Sequence, residues 1–150
     1  WLTILRKREN FRRAFLNFDI EKVAGFTHKD VARLMEDAGI IRHRGKIEAT
    51  ITNAQKAFRV IDRYGSLSSF VWSFEPDNAK ANVVNGAQLV RSVSEESTQM
   101  STALKKLGWK FVGPTTCYSL MQANGIVNDH LPDCYRWSEI EELRSVLTRP

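Results

Sequence analysis

The sequence has little cysteine, almost no period-two alternation and no long apolar run, and each shortage removes a class of protein. Cysteine occurs only at Cys117 and Cys134, too few for a disulfide scaffold. Free thiols or metal ligation in a reducing compartment is the expectation. No apolar stretch approaches the roughly 20 residues that a membrane-spanning helix needs. No segment combines the charged start, apolar middle and small-residue cleavage site of a secretory signal. Strand-like alternation is confined to one weak candidate, Val83 to Val93, and no internal repeat of fixed period is present.

What remains is a helical composition. The 150 residues are 43% hydrophobic and 26% charged, as in one ordinary globular domain with a real core. Lysine and arginine number 22 against 17 acidic residues, a net charge of +5. That balance suits a polyanionic partner without requiring one. From Leu2 to Leu16, apolar residues including Leu2, Leu5, Phe11 and Phe15 recur at helical spacing among five arginines and lysines, which predicts an amphipathic helix with a basic outer face. Further helices are expected over Asp19 to Ala24 and Thr27 to Glu36, the latter opened by Thr27 with Asp30 three residues on. Arg44 to Tyr64 and Ser66 to Phe74 follow, then Ser97 to Leu107, Thr115 to Ala123 and Ser138 to Leu147. Glu75 to Glu95 reads as a polar excursion. The expectation is an all-α single domain over 1–150 with about seven or eight helices.

Two short stretches carry possible chemistry. In GWKFVGPTT, Gly113 is expected to relieve a backbone turn, Pro114 suits a helix start, and Thr115 and Thr116 lie beside unpaired N–H groups. With Lys105, Lys106 and Lys110 nearby, this helix start is a candidate phosphate site; a well-capped connection between two helices is an equally sufficient reading. In GIIRHRGK, Arg42, Arg44 and Lys46 with His43 form the densest positive patch. Alone it reads either as a phosphate contact or as a solvated helix start.

Taken together, LGWKFVGPTTCYSLMQANGIVNDH, WLTILRKREN, DAGIIRHRGKIEATITNA and SSFVWSF resemble the DNA-3-methyladenine glycosylase I family of bacterial repair enzymes, from Trp1 to about Cys134. The resemblance implies a helix-hairpin-helix fold, with Phe111 to Cys117 matching the hairpin loosely because Phe111 stands where the general pattern has its first glycine. It implies release of 3-methyladenine from double-stranded alkylated DNA by a monomeric, cytoplasmic enzyme. Gly113, Thr115, Thr116, Lys110, Arg42, Arg44 and Lys46 would then contact DNA, and Trp1 and Ser119 would contact the base.

The same resemblance sets limits. Asn128 stands where the wider superfamily has a catalytic aspartate, with Asp129 beside it. Thr115 replaces the hairpin lysine of bifunctional enzymes, so lyase chemistry is not expected. The family's acidic base-recognising residue, further pocket aromatics and DNA wedge precede the position of Trp1, so no catalytic residue is assigned and the chain reads as lacking an N-terminal segment. His130 and Cys134, spaced H-x3-C, match half of the family's structural zinc site; alone, that spacing is often coincidence and two ligands are too few. Cys117, inside an apolar helix, is expected to be a small buried residue.

Overall fold

The computed structural model describes residues 1–77 and 91–150. The described residues contain nine α-helices and no strand. They divide into two compact units, Trp1–Arg59 with Leu107–Phe111, and Val60–Lys106 with Val112–Pro150. Most of the Glu75 to Glu95 excursion, and the Val83 to Val93 strand candidate but for its last three residues, lie outside the described residues.

The first unit opens with α1 (Leu2–Arg6) and α2 (Arg8–Ala14) where one helix was expected. Lys7 breaks the run: its backbone turns to φ −94° and ψ 1°, its N–H closes a tight turn onto the Ile4 carbonyl, and its Nζ donates to the Ala38 carbonyl at 2.7 Å. The break adds the ninth helix. Beyond α2 come three consecutive left-handed residues, Leu16, Asn17 and Phe18, with φ between 52° and 57°. Side chains other than glycine hold that conformation at a cost of roughly 1 to 2 kcal/mol each. Burial of Phe15, stacked on Phe11, Phe18 and Phe26, offsets it.

Two short helices complete this core. In α3 (Ile20–Ala24), the Asp19 carboxylate caps the Lys22 N–H. In α4 (His28–Glu36), Thr27 and Asp30 form the reciprocal capping box read from the sequence. Val23, Val31 and Leu34 meet Ala14, Phe15, Ile40, Ile47 and Ile51 in one buried cluster. Ile47 and Ile51 belong to α5 (Arg44–Tyr64). Further along α5, Ala57 and Val60 are buried, while Phe58 is 39% exposed. The long helix serves both units, Arg44 to Arg59 in the first and Val60 to Tyr64 in the second, so no single stripe runs its length.

In the second unit, α6 (Leu67–Trp72) buries Phe70, whose ring meets Tyr64 and Phe74 edge to face. Helix α7 (Glu95–Lys106) packs along α8 (Pro114–Ala123), burying Met100, Leu104, Cys117, Tyr118 and Met121. Helix α7 starts two residues earlier than expected, because Ser94 and Ser97 cap each other: the Ser97 N–H donates to Ser94 Oγ, and the Ser94 N–H to Ser97 Oγ. Helix α9 (Tyr135–Val146) likewise starts earlier than the expected Ser138.

Candidate functional site

Gly108 to Phe111 of the hairpin stretch and the Arg42 to Lys46 patch both belong to the first unit. The N-terminus of α5 carries Arg44 and Lys46, with Arg42 just before it. His43 in this segment meets the ring of Phe111 edge to face, with centroids 6.1 Å apart and planes at 83°. A Cβ on Gly45 would lie 3.9 Å from the same ring. About two turns further along α5, Asn53 takes both backbone groups of Lys110: its Oδ1 accepts from the Lys110 N–H at 2.8 Å, and its Nδ2 donates to the Lys110 carbonyl at 3.0 Å. Arg42, Lys46 and Lys110 have no ion pair among the described residues. Arg44 has only a long exposed contact with Glu48, 3.5 Å, worth little in water.

The backbone of the turn departs from the sequence expectation. Gly113 has ordinary extended dihedrals, φ −66° and ψ 161°, and a Cβ there would meet nothing within 4 Å. It relieves no clash; it leaves open space in front of the helix. The left-handed residue is Phe111, φ 57°, at the position where the general hairpin pattern has glycine. Its ring is 56% exposed.

The start of α8 is built as expected, with Pro114 at the first helical position and no side chain capping the end. The first backbone N–H to find a helical acceptor is that of Cys117, bonded to the Gly113 carbonyl. Those of Thr115 and Thr116 have no acceptor among the described residues, and both threonines are exposed. Meanwhile the preceding carbonyl, Val112 O, points inward: buried Ser101 Oγ donates to it at 2.6 Å, and Cys117 Sγ lies 3.7 Å away. Carbonyl inward and amides outward is the polarity that an anion requires. Burial also pushes the Cys117 thiol up, so it stays a neutral packing group, as expected.

Trp1 belongs to the first unit and Ser119 to the second. The Trp1 indole is 95% exposed and caps α1 without packing on it. Ser119 is exposed on α8, and its hydroxyl has no hydrogen bond among the described residues. Near Trp1 in neither sequence nor unit, the Asn128 carboxamide donates to the Trp137 carbonyl at 3.1 Å and to Glu141 Oε1 at 2.9 Å. Asp129 accepts from Tyr118 Oη and Gln122 Nε2, each at 2.7 Å. Both residues hold the segment between α8 and α9. Burial, and then the hydrogen bond to Asp129, push the Tyr118 phenol well above its ordinary range and keep it a donor. His130 Nδ1 and Cys134 Sγ lie 3.7 Å apart; among the described residues no cluster of three or more His, Cys, Asp or Glu side chains suits a metal.

Sequence reasoning missed Asn53, Ser101 and Arg144. The last donates to the Gly125 and Ile126 carbonyls at 2.8 and 2.7 Å and pairs with Glu75 at 3.2 Å. Nothing local marks these residues, since each acts on a partner far away in the chain.

An all-helical set of described elements with a tight Gly-Pro-Thr-Thr turn opening α8 is the architecture of a helix-hairpin-helix protein of the DNA glycosylase type. The methyladenine glycosylase family model matches residues 1–137, and the chain belongs to that family. DNA-3-methyladenine glycosylase 1 of Escherichia coli strain K12 is 46% identical over 134 residues, covering 89% of this chain and 72% of that protein. The DNA-3-methyladenine glycosylase of Haemophilus influenzae is 44% identical over 135 residues, with the same coverage of 89% and 72%. Among solved structures, a single-residue variant of 3-methyladenine DNA glycosylase I in complex with 3-methyladenine superposes with a TM-score of 0.81 at 40% identity, covering 91% of this chain and 74% of that one.

Proposed function

We propose that the protein is a monofunctional DNA glycosylase that removes 3-methyladenine from alkylated double-stranded DNA, the first step of base excision repair. Membership of the methyladenine glycosylase family carries this reading, and the unpaired basic cluster against the hairpin turn supports it. The reaction is hydrolysis. The C1′–N9 bond breaks with its electron pair going to N9, which neutralises the methylated ring, and water adds to C1′ and releases a proton. Because the base departs from a cation to a neutral molecule, little protonation is needed. The protein's work is to flip and hold the nucleotide, which costs a few kcal/mol of unstacking.

In this reading the hairpin binds the backbone. In the second unit the Thr115 and Thr116 amides face a phosphate across the open space at Gly113; in the first unit Lys110, Arg42, Arg44 and Lys46 supply charge to the DNA backbone. Trp1 stacks on the everted cationic base, a contact worth about 0.5 to 2 kcal/mol, and Ser119 contacts its edge. With Thr115 at the position where bifunctional enzymes carry lysine, the hairpin offers no amine for Schiff-base chemistry. The enzyme acts as a monomer in the cytoplasm.

His130 and Cys134 would hold half of a structural zinc site. Their 3.7 Å separation is about the edge of a zinc tetrahedron built from Zn–S of about 2.3 Å and Zn–N of about 2.0 to 2.1 Å. A complete site needs two more ligands, so this pair fits the ion without sufficing for it.

Release of free 3-methyladenine from alkylated duplex tests the function. Trp1→Ala should lower excision by about two- to thirtyfold with a modest change in duplex affinity, and unchanged excision removes Trp1 from the base site. Gly113→Asp, which places a carboxylate before the open amides, should weaken duplex binding; equal binding refutes the hairpin contact. Duplex binding without any base release by the wild type would reduce the protein to a binding module.

A further inference from the structure

Phe111 holds a left-handed backbone, φ 57°, which L-residues other than glycine, asparagine and aspartate rarely adopt. Such a residue persists only where its surroundings fix it. Here the surroundings are α5 and the residue just before it. The His43 ring meets the Phe111 ring, the Lys56 stem lies 3.4 Å from where a Gly108 Cβ would stand, and Asn53 pairs with both backbone groups of Lys110. The Asn53 contact is the most specific of the three. A carboxamide offers a donor and an acceptor side by side, as a neighbouring strand would, and an ionised carboxylate lacks the donor. By satisfying the peptide groups immediately before Phe111, it holds the turn that carries Lys110, whose ammonium has no ion pair among the described residues.

We propose that Asn53 is a positioning residue for the DNA grip: its carboxamide holds Lys110 and the left-handed turn at Phe111 in the conformation that engages a phosphate, without itself touching DNA. This rests on the reading that the turn binds duplex DNA, and it adds a residue that acts only through the backbone of another.

The test compares wild type, Asn53→Ala and Asn53→Asp in equilibrium binding to a duplex carrying a stable abasic analogue, in single-turnover excision and in thermal melting. Asn53→Ala should bind about tenfold more weakly, the equivalent of two hydrogen bonds, with the loss falling mainly on affinity and less on the rate at saturating DNA. Asn53→Asp should bind at least as weakly at neutral pH, where its carboxylate opposes the Lys110 carbonyl. As the pH falls from about 7 to about 4, near the ordinary aspartate value of about 3.9, roughly half of the acid regains a donor and its affinity should converge part of the way on that of the wild type. Asn53→Ala should show no such convergence, and a purely structural role would not produce it. Undiminished binding by Asn53→Ala, or a pH-independent deficit in Asn53→Asp, overturns the positioning role while leaving the glycosylase reading standing. Absence of duplex binding by the wild type would refute both.

Discussion

The arginines and lysines at the hairpin and those at the C-terminus are used in opposite ways. At the hairpin, the backbone is held by neutral groups, the Asn53 carboxamide and the Ser101 hydroxyl, and the cations Arg42, Lys46 and Lys110 are left without internal partners among the described residues. At the C-terminus the cations are themselves the fasteners. Arg144 and Arg149 both reach Glu75, at 3.2 and 2.8 Å, Arg149 also covers the Trp72 ring, and Arg136 pairs with Glu139 at 2.7 Å. The net charge of +5 is therefore not spread evenly in effect. Charge already spent on an internal carboxylate adds little attraction for a polyanion, whereas unpaired charge releases counterions when it meets phosphate.

Substitutions that exchange these roles give the sharpest tests, beginning with the largest effect. Replacing Arg42, Lys46 and Lys110 together by alanine should weaken duplex binding by about 10²-fold or more, at roughly 1 to 1.5 kcal/mol per phosphate contact, and flatten the salt dependence by about 3. Arg149→Ala should leave both quantities unchanged; a matching loss there would erase the contrast.

Next comes Arg144→Met, which deprives the Gly125 and Ile126 carbonyls of their side-chain donor and the largely buried Glu75 carboxylate of one of its two arginine partners. It should cost about 2 to 3 kcal/mol in urea unfolding, with duplex affinity retained once folded. A smaller effect follows from pH. The hydrogen bond from Arg149 holds the Glu75 carboxyl below its usual 4.5, helped by the charges of Arg149 and Arg144 and opposed by burial. A depressed carboxyl contributes its stability in full above about pH 4.5 and loses it as pH falls through the lower folded value. Melting curves of the wild type should drop across that acidic window, and those of Glu75→Gln should drop less. The smallest change concerns the turn itself. The Trp109 indole N–H is buried without a partner among the described residues, so Trp109→Phe should cost less than about 1 kcal/mol, because the lost contact is offset by removing an unsatisfied donor. A loss of several kcal/mol would mean that the indole has a partner after all.

Much of this contrast could be read in advance on one side only. The RHRGK patch, the Gly-Pro-Thr-Thr helix start and the Thr27 capping box are local patterns, and they form where the sequence put them. The lock at Arg144 left no trace, because a buried arginine at the end of a helix looks like any exposed one until Glu75 and the 125–126 carbonyls arrive beside it. The break at Lys7 was hidden for the same reason: the helical periodicity continues through it, and the Ala38 carbonyl that draws its side chain away is 31 residues distant. Gly113 was misjudged in a different way. The strain that a glycine would have relieved lies at Phe111, held there by contacts from another helix.

By itself the sequence determined the all-helical class, the Thr27 capping box, the surplus of positive charge and the family, since each depends on residues close in the chain or on motifs kept in order. Only the tertiary structure decided which cations are free and which are tied, and which side chains hold the turn. Pairing and burial are properties of neighbours in space, and a charge or a carboxamide acquires its role only when folding supplies, or withholds, the group it would bind.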